Sequence, residues 1–416
     1  MQVNIKNEKE LKVVRGLAAQ YYNIAVSDEN IEKARLFRAV NDRKMIRPVV
    51  LMDELPWFEL NIDNCLDCVC EDERLRGLES HFRYWLARRK YFGCDLYFNP
   101  VFSITKRIGF SSLGVHVEEQ ILRTSERNHI VAHQFADKLQ TDEDIEKLSF
   151  QTVSYDEAGT KKYFEYVSDI IGDIMPVKIS GVSGDYGIGH SIWDTISFLK
   201  GAENLLADLA ERPEFMHKIA RKLTDINKDK MRQLEELNLF GADQVYIHCT
   251  PALTGDLERP ADYDNIKPRN LWGRALAQIF SSVSKEMHDE FDIKYALEYM
   301  QSFGMVYYGC CEPLDKKIDI LKKLKNLRKI SITPWADINH AAEVMGSEFV
   351  FSSKPNPAHV GAGFDESVIR AELTEIVDAV KRNNCSCDIV LKDISTGRPE
   401  HLIKWAEIAM QVVNGY

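Results

Sequence analysis

The sequence lacks long apolar segments and an excess of positive charge. No uninterrupted apolar run in its 416 residues approaches the ~20 needed to cross a bilayer. The opening stretch, MQVNIKNEKELKVVRG, has no apolar core of the kind that directs secretion. Lys and Arg number 53 against 64 Asp and Glu, a net charge of −11, which removes the broad basic face that duplex nucleic acid requires. We therefore expect a cytoplasmic protein that binds neither membranes nor nucleic acid.

Nucleotide-binding motifs are also missing. No Gly-x-Gly-x-x-Gly follows the first predicted strand and no Walker sequence occurs, so nothing indicates a dinucleotide or ATP site. Nine cysteines, an odd number, argue against a disulfide framework and for reduced thiols that can bind metal. Most of them fall into three groups, with Cys94 and Cys249 standing alone; the groups are Cys65, Cys68 and Cys70, then Cys310 and Cys311, then Cys385 and Cys387.

The residue pattern indicates a helical extension followed by one repeating domain. Residues 1–45 are charged and helical in pattern, with Ser27 or Asp28 as a helix cap. From residue 46 to residue 416, short apolar runs alternate with amphipathic helices and no low-complexity linker intervenes. Counting the runs gives about eight repeats, and their continuous apolar character is typical of strands covered on both faces. This predicts a (β/α)8 barrel, an α/β fold, over residues 46–416.

Barrel enzymes place their chemistry at the carboxyl ends of the strands, so the predicted strands also predict the site residues. Polar, aromatic and thiol side chains fall at most of these ends. The predicted ends are Asp53 to Trp57, Asn99-Pro100, Ser183-Gly184-Asp185, His248-Cys249, Cys310-Cys311-Glu312, Thr333-Pro334-Trp335, Ser352 to Pro357, and Lys392-Asp393.

At the segments RPVVLMDELPW, YYGCCEPL and FVFSSKPNP the chain resembles the uroporphyrinogen decarboxylase superfamily, in particular its zinc-dependent, corrinoid-linked methyltransferase branch in anaerobes. The resemblance covers most of the chain after about residue 45, and it too implies a (β/α)8 barrel. True decarboxylases carry arginines in the first of these segments to hold substrate carboxylates. Here Asp53 and Glu54 stand in that stretch and would repel a polycarboxylate, so porphyrinogen decarboxylation is not expected.

The resemblance also implies a zinc ion, bound near the strand ends by a His-x-Cys or related pair and a later Cys. The matching elements here are Gly309-Cys310-Cys311-Glu312, with no histidine two residues before Cys311, and residues 351–354, with serine in place of the later thiolate. Because neighbouring residues on a strand point to opposite sides, we expect only one of the two thiols to be a ligand unless the strand has already ended, and Cys311 is favoured. The alternative for these thiols is simple packing.

Carboxylates and an imidazole could complete such a site. Glu298 and Glu312 are substitutes that the resemblance makes reasonable, since some members of the branch are understood to use carboxylate-containing zinc sites. The candidate zinc ligands are therefore Cys311, Cys310, His248, Glu298 and Glu312. The CLDCVC segment has metal-like spacing but no second Cys or His pair nearby to close a tetrahedral site.

Candidate catalytic and substrate-binding residues come from the same strand ends. His248 could bind zinc or donate to an ether oxygen, with a structural histidine as the alternative. Glu54 could donate a proton if its pKa is raised, with a solvated carboxylate as the alternative. Aromatic walls for a flat substrate would come from Trp57, Tyr308 and Trp335, or these would simply pack in the core. Asp185, in a glycine-rich loop, could belong to a lid or an anion nest.

These residues and the resemblance together predict a methyltransferase. It would demethylate a methoxylated compound, with an aromatic one favoured, and pass the methyl group to the Co(I) of a corrinoid carried by a separate protein, with zinc as the Lewis acid. A second possibility is methyl transfer from a methylcorrinoid to a thiol of the coenzyme M type. A third, from a different class, is a catalytically silent binding barrel.

Overall fold

The computed structural model describes residues 8–57, 59–123, 131–183, 188–242, 244–258, 265–394 and 398–416. Helices and short strands alternate along most of the chain. The α-helices are α1 (Glu8–Ala25), α2 (Asp28–Asn41), α3 (Glu73–Phe92), α4 (Asp142–Glu146), α5 (Glu157–Ile171), α6 (Ile192–Lys200), α7 (Ala202–Glu211), α8 (Pro213–Glu236), α9 (Lys285–His288), α10 (Lys294–Met300), α11 (Ile318–Leu321), α12 (Ile338–Met345), α13 (Ala358–Gly361), α14 (Glu366–Arg382) and α15 (Pro399–Asn414). No helix among these residues is long and apolar enough to span a membrane.

The strands are short, and the longest belong to one parallel sheet. They are β1 (Val49–Met52), β2 (Phe102–Thr105), β3 (Ile108–Phe110), β4 (Glu119–Arg123), β5 (Val131–Phe135), β6 (Val153–Tyr155), β7 (Val177–Ser180), β8 (Tyr246–Ile247), β9 (Thr250–Pro251), β10 (Trp272–Ala275), β11 (Met305–Tyr308), β12 (Leu327–Ile332), β13 (Val350–Ser353) and β14 (Ser386–Leu391). In the described ranges, six of them form a sheet in the order β1-β14-β13-β12-β11-β10, with every neighbouring pair parallel.

Most strands of this sheet are covered on both faces. Every residue of β1, β11, β13 and β14 is buried. Helices α12, α14 and α15 pack their apolar sides, including Leu373 and Trp405, into the same hydrophobic cluster as these strands. The predicted strands in the final third of the chain are therefore confirmed. The order of the sheet brings the carboxyl ends of the first and last strands together, which positions the site.

The structure does not confirm a closed barrel. Besides the six-stranded sheet, the described residues contain separate strand pairs, including β2 with β7 and the antiparallel pair β8 and β9. Residues 95–99 lie beside β1, where Asp95 N donates to Val50 O at 2.9 Å, but they lead into Pro100, which has no N–H to continue a ladder. On the other side, β8 turns back after two residues. What is confirmed is the mixed α/β class with a parallel sheet.

The first two helices pack on the rest of the chain. Val14, Ala18 and Tyr21 of α1 share a hydrophobic cluster with Leu78 and Phe82 of α3. Helix α2 begins after Ser27, whose side chain accepts a hydrogen bond from Asn30 N, as the sequence predicts. The division at residue 45 stays a prediction.

Candidate functional site

Among the described residues, six side chains from four separate segments meet at the carboxyl edge of the parallel sheet. We call them the mouth cluster. They follow β1, β8, β11 and β14, and they are Glu54, His248, Cys310, Cys311, Lys392 and Asp393. The cluster contains two thiols, one imidazole, two carboxylates and one ammonium. The sequence predicts four of its members as site residues, and the structure brings those four together.

The backbone turns sharply where these segments leave their strands. Glu54, His248 and Asp393 have φ values of 48°, 52° and 57°, in the left-handed region that side chains other than glycine seldom adopt. Gly309, with φ 101°, ends β11 just before the thiols. Left-handed residues other than glycine cost on the order of 1–3 kcal/mol each and concentrate at functional sites. Three in one cluster therefore mark this edge of the sheet as the candidate site.

Lys392 occupies the centre of the mouth cluster. Its Nζ atom donates to Glu54 Oε2 at 2.9 Å and lies 3.1 Å from Asp393 Oδ2, 3.2 Å from His248 Nε2 and 3.6 Å from Cys310 Sγ. The side chain is only 6% exposed. Burial lowers the pKa of Lys392, but the surrounding thiols and carboxylates outweigh it and hold that pKa above the usual lysine value. The group is an ammonium at neutral pH.

The two thiols face each other because the strand has already ended at Tyr308. Cys310 Sγ lies 3.6 Å from Cys311 Sγ, with Cys310 buried and Cys311 exposed. The hydrogen bond between them, and then burial, raise the pKa of Cys310; the same hydrogen bond lowers the pKa of Cys311 against the effect of burial. Of the two thiols, Cys311 therefore loses its proton more readily than Cys310 does. The expectation of a single thiol at the site does not apply, since Gly309 turns the chain before strand alternation can separate the two.

The two carboxyl groups of the mouth cluster have pKa values shifted in opposite directions. Burial raises the pKa of Glu54, and its hydrogen bond with Asp393 adds to this. Burial also acts to raise the pKa of Asp393, but Glu54 and Lys392 outweigh it and lower that pKa overall. Of the two carboxyl groups, Glu54 therefore keeps its proton to higher pH than Asp393 does. His248 is neutral, since burial and the charges of Arg274, Lys392 and Lys354 lower its pKa to about 2.

The two other predicted ligands, Glu298 and Glu312, have different roles. Both carboxylate oxygens of Glu298, on α10, accept hydrogen bonds from Arg221 on α8, at 2.6 and 2.7 Å, so Glu298 is engaged between helices rather than in the mouth cluster. Glu312 is fully buried and accepts from Ala277 N at 3.1 Å and Cys310 N at 2.9 Å. Glu312 therefore connects the loop that carries the thiols to the segment after β10, and its role as a metal ligand stays a prediction.

The predicted aromatic walls are scattered. Tyr308 is completely buried and donates to Asp292 at 2.5 Å, with His288 Nε2 2.6 Å away, so its ring belongs to an interior network and not to the mouth. Trp335 projects into solvent with 70% of its surface exposed. Trp57 is half-buried and meets the Tyr84 ring edge-on at 4.7 Å. Asp185 lies outside the described residues.

The donor atoms of the mouth cluster match zinc in type and in spacing. In their present arrangement, however, they do not form a metal site. The separations are 3.6 Å between the thiols, 3.8 Å from Cys310 Sγ to His248 Nε2 and 3.5 Å from His248 Nε2 to Glu54 Oε1. Zinc bonds of about 2.0–2.3 Å at tetrahedral angles place neighbouring donors about 3.3–3.8 Å apart. As they stand, however, no three His, Cys, Asp or Glu side chains in the described part of the chain are arranged to hold a metal ion. The Lys392 ammonium lies among the donors.

The sequence pattern assigns no role to Lys392 or Asp393, although both stand among the predicted strand ends. It also misses Lys354, which follows β13 and is 4% exposed. A signal was available, since a lysine directly after an apolar strand is placed at the mouth of a parallel sheet. The sequence does not reveal the direction of these side chains. Lys354 turns inward towards Ser352, and Lys392 turns inward towards Glu54 of the mouth cluster.

Comparison with known proteins gives little further guidance. No family model matches the chain, and no curated protein matches its sequence. Among solved structures, a methyltransferase from Methanosarcina mazei is similar over 91% of this chain and 97% of that chain, with 10% sequence identity and a TM-score of 0.47. A likeness of this extent does not decide function. The functional proposal therefore rests on the chemistry of the mouth cluster.

Proposed function

We propose that the protein is a methyltransferase that demethylates a methoxylated, aromatic compound and delivers the methyl group to the Co(I) of a corrinoid carried by a partner protein. The observation that supports this most is the mouth cluster itself. It joins thiols and an imidazole, which are ligands for a soft Lewis acid, to a carboxyl group with a raised pKa at one open edge. Ether demethylation needs both an electrophile and a proton at the oxygen.

Glu54 is the proton donor of this scheme. When the methyl carbon–oxygen bond breaks and the methyl group passes to cobalt, the oxygen leaves as a phenoxide that must be protonated. Burial raises the pKa of Glu54, which suits a proton donor, and its side chain is 38% exposed at the mouth, where a substrate can reach it. The charge of Lys392, 2.9 Å away, stabilises the carboxylate that remains after transfer.

Zinc would be held by Cys311, Cys310 and His248. When bound, it would act as a Lewis acid on the ether oxygen. The exposed position of Cys311 puts the metal-binding side of the cluster towards solvent, where a partner protein can present its corrinoid. Trp57 is half-buried in the loop after β1, and its flat, apolar indole suits one wall for the substrate ring.

The thiol-acceptor alternative gains support from the same geometry. The sequence lacks the complete His and two-Cys zinc pattern, and this counts against a thiol as the methyl acceptor. In the structure His248, Cys310 and Cys311 come together from separate segments, with 3.8 Å and 3.6 Å between successive donors. That set is the soft-ligand combination that thiol-activating zinc prefers. A methylcorrinoid:thiol methyltransferase is therefore the second candidate.

An anaerobic methyl-transfer assay tests the proposal. Zinc-supplemented protein is mixed with cob(I)alamin and a panel of methoxylated phenols and benzoates, following the cobalamin absorbance and the release of the free phenol. Methylcobalamin formed together with phenol in equal amounts supports the proposal. Methyl transfer only from methylcobalamin to a thiol would favour the second candidate, and no transfer in either assay would favour a silent binding protein.

A further inference from the structure

The two adjacent thiols of the mouth cluster lie close enough to react with each other. Cys310 Sγ and Cys311 Sγ are 3.6 Å apart. A disulfide joins its sulfur atoms at about 2.05 Å, so the two atoms have to approach by about 1.5 Å. Strand β11 ends at Tyr308, and Gly309, with φ 101°, turns the chain just before the pair. A local change in this loop is therefore enough to join the thiols.

The two thiols differ in their access to solvent. Cys311 is exposed, whereas Cys310 is only 5% exposed. A small oxidant therefore reaches Cys311 first, and Cys310 is then placed to attack the sulfur that has been modified. An accessible thiol beside a second, resolving thiol is the usual arrangement of a redox-sensing site.

The backbone around the pair is held in the geometry of the reduced thiols. Cys310 N donates to Glu312 Oε2 at 2.9 Å, and the hydroxyl of Ser331 donates to Cys310 O at 2.9 Å. Neighbouring Cα atoms are about 3.8 Å apart, whereas most disulfides join Cα atoms about 4.4–6.8 Å apart. A bond between neighbours is therefore strained, and strained disulfides are the easily reduced ones. Such a bond would be a reversible modification and not a structural crosslink.

We propose that Cys310 and Cys311 are a site of reversible oxidation, at which a small-molecule disulfide converts the two thiols into one disulfide bond. In the first step the Cys311 thiolate attacks a sulfur of the small disulfide, forms a mixed disulfide with it and expels one small thiolate. In the second step the Cys310 thiolate attacks Cys311 Sγ, and the other small thiolate leaves. The two protons of the protein thiols end on the two expelled thiolates. The small disulfide is thus reduced to two thiols as the pair is oxidised.

The modification would remove two donors from the mouth cluster. Zinc binds cysteine as the thiolate, and the sulfur atoms of a disulfide are no longer thiolates. Of the three zinc ligands proposed above, only His248 would remain. This consequence rests on the proposed function, because it concerns the zinc site of that function. The formation of the bond depends on the two thiols alone.

Mass spectrometry of the whole protein after treatment with oxidised glutathione tests the inference. Free thiols are alkylated in denaturant, and trypsin then releases residues 295–316, which contain Cys310 and Cys311 and no other cysteine. We expect this peptide to carry no alkyl group and to be lighter than the reduced peptide by two hydrogens. Excess dithiothreitol before alkylation should restore both thiols. The buried Cys385 and Cys387, in the peptide of residues 383–392, should be alkylated throughout.

Variants separate the two steps. In Cys310→Ser the second step is blocked, so a glutathione adduct should accumulate on Cys311 to at least about tenfold the wild-type level, because the neighbouring thiol of the wild type attacks intramolecularly. In Cys311→Ser the buried Cys310 should stay reduced. Cys68→Ser removes a half-buried thiol outside the mouth cluster and is the control. Its peptide of residues 295–316 should be oxidised as in the wild type.

The wild-type protein alone keeps the test decisive if a variant does not fold. Recovery of the 295–316 peptide with both thiols alkylated would overturn the inference. So would a stable glutathione adduct on Cys311, two copies of the peptide joined to each other, or a bond that excess dithiothreitol does not reduce. A bond inside the peptide that dithiothreitol reduces supports the inference.

Zinc binding separates this inference from the proposed function. Reduced and oxidised protein each compete with a chromophoric chelator for zinc, and we expect the oxidised protein to bind zinc at least about tenfold more weakly. If the bond forms and is reduced again but the reduced protein binds no zinc, the oxidation site stands and the zinc-dependent function fails. If the oxidised protein binds zinc as tightly as the reduced protein, the predicted effect of oxidation on the mouth cluster is wrong.

Discussion

The Nζ atom of Lys392 lies 3.6 Å from Cys310 Sγ, so a side-chain ammonium stands where the donors of the mouth cluster converge. The same ammonium contacts Glu54, His248 and Asp393. An ammonium held in this position offsets negative charge on the thiols and carboxylates of the mouth cluster without a metal. It also competes with one, because zinc and the ammonium cannot occupy the same donors.

Removing that ammonium should therefore strengthen zinc binding. We expect Lys392→Ala to bind zinc at least about tenfold more tightly than the wild type, because about 1.4 kcal/mol of competition suffices for that change. Competition with a chromophoric chelator measures it directly. Lys404→Ala, in an exposed pair with Glu407, is the control and should bind zinc as the wild type does. Weaker zinc binding by Lys392→Ala would show that the lysine supports the site instead of competing.

Cys311 should matter more for zinc than any thiol of the CLDCVC segment. Cys311 faces Cys310 at 3.6 Å, whereas Cys68 contacts the backbone oxygens of Leu66 and Arg76. We expect Cys311→Ala to lose most of the bound zinc and Cys68→Ala to retain it, as elemental analysis of protein expressed with added zinc would show. Equal losses would move the metal to the CLDCVC segment.

The sequence predicts which segments meet at the mouth but not how their side chains point. Apolar runs bounded by polar turns identify β1 and the strands from β11 to β14, and parallel strands align their carboxyl ends, so Glu54 and Cys311 can be placed at one edge. The direction of a side chain depends on where the strand ends. Tyr308 is the last residue of β11 and faces the interior network, whereas the thiols after Gly309 face the mouth.

The direction of a helical side chain cannot be predicted from the sequence either. The resemblance makes Glu298 a reasonable zinc ligand, but in the structure its carboxylate accepts hydrogen bonds from Arg221 of α8. One residue of helical rotation changes the direction by about 100°. The mouth cluster also depends on left-handed backbone at Glu54, His248 and Asp393, which no pattern of residue types specifies.

Two buried lysines beside Asp388 and Ser352, namely Lys329 and Lys354, should have unequal effects on stability. Lys329→Met leaves Asp388 buried without its ion-pair partner and should destabilise the protein by about 3–5 kcal/mol. Lys354→Met removes an ammonium that has no ion-pair partner among the described residues but donates hydrogen bonds to Ser352, so it should lower the melting temperature by less than Lys329→Met does. Thermal unfolding of the two variants beside the wild type compares them. A larger loss in Lys354→Met than in Lys329→Met would contradict the charge assignment.

Asp194 should make stability depend on pH. Burial raises its pKa to about 6, from an ordinary value of 3.8. The unfolded chain therefore loses this proton at lower pH than the folded protein, and stability falls as the pH rises from about 4 through about 6, by on the order of 2–3 kcal/mol. Asp194→Asn removes this loss. Its melting temperature should match the wild type near pH 4 and exceed it at pH 7, with both pH values chosen to bracket this titration.

An exposed aspartate provides the control for that comparison. Asp378→Asn, on the solvent side of α14, should shift the melting temperature little, and by the same amount under both conditions. If the melting temperature of Asp194→Asn also differs from that of the wild type by the same amount under both conditions, the carboxyl of Asp194 does not titrate between the two pH values.

Glu54 should affect the chemical step more than substrate binding. Glu54→Gln keeps the shape and the contact with Lys392 through its amide oxygen, but it has no acidic proton for the leaving oxygen. General acid catalysis contributes about 10²- to 10⁴-fold, so kcat for demethylation should fall by that amount while KM and zinc content stay near the wild-type values. A phenol whose own pKa is low needs the proton least, so the loss in kcat should shrink along a series of donors with increasingly acidic phenols.

Glu73→Gln, at the exposed start of α3, is the control and should have wild-type kcat for every donor. A loss in Glu54→Gln that is the same for all phenols would assign Glu54 to holding Lys392 in place and not to proton transfer.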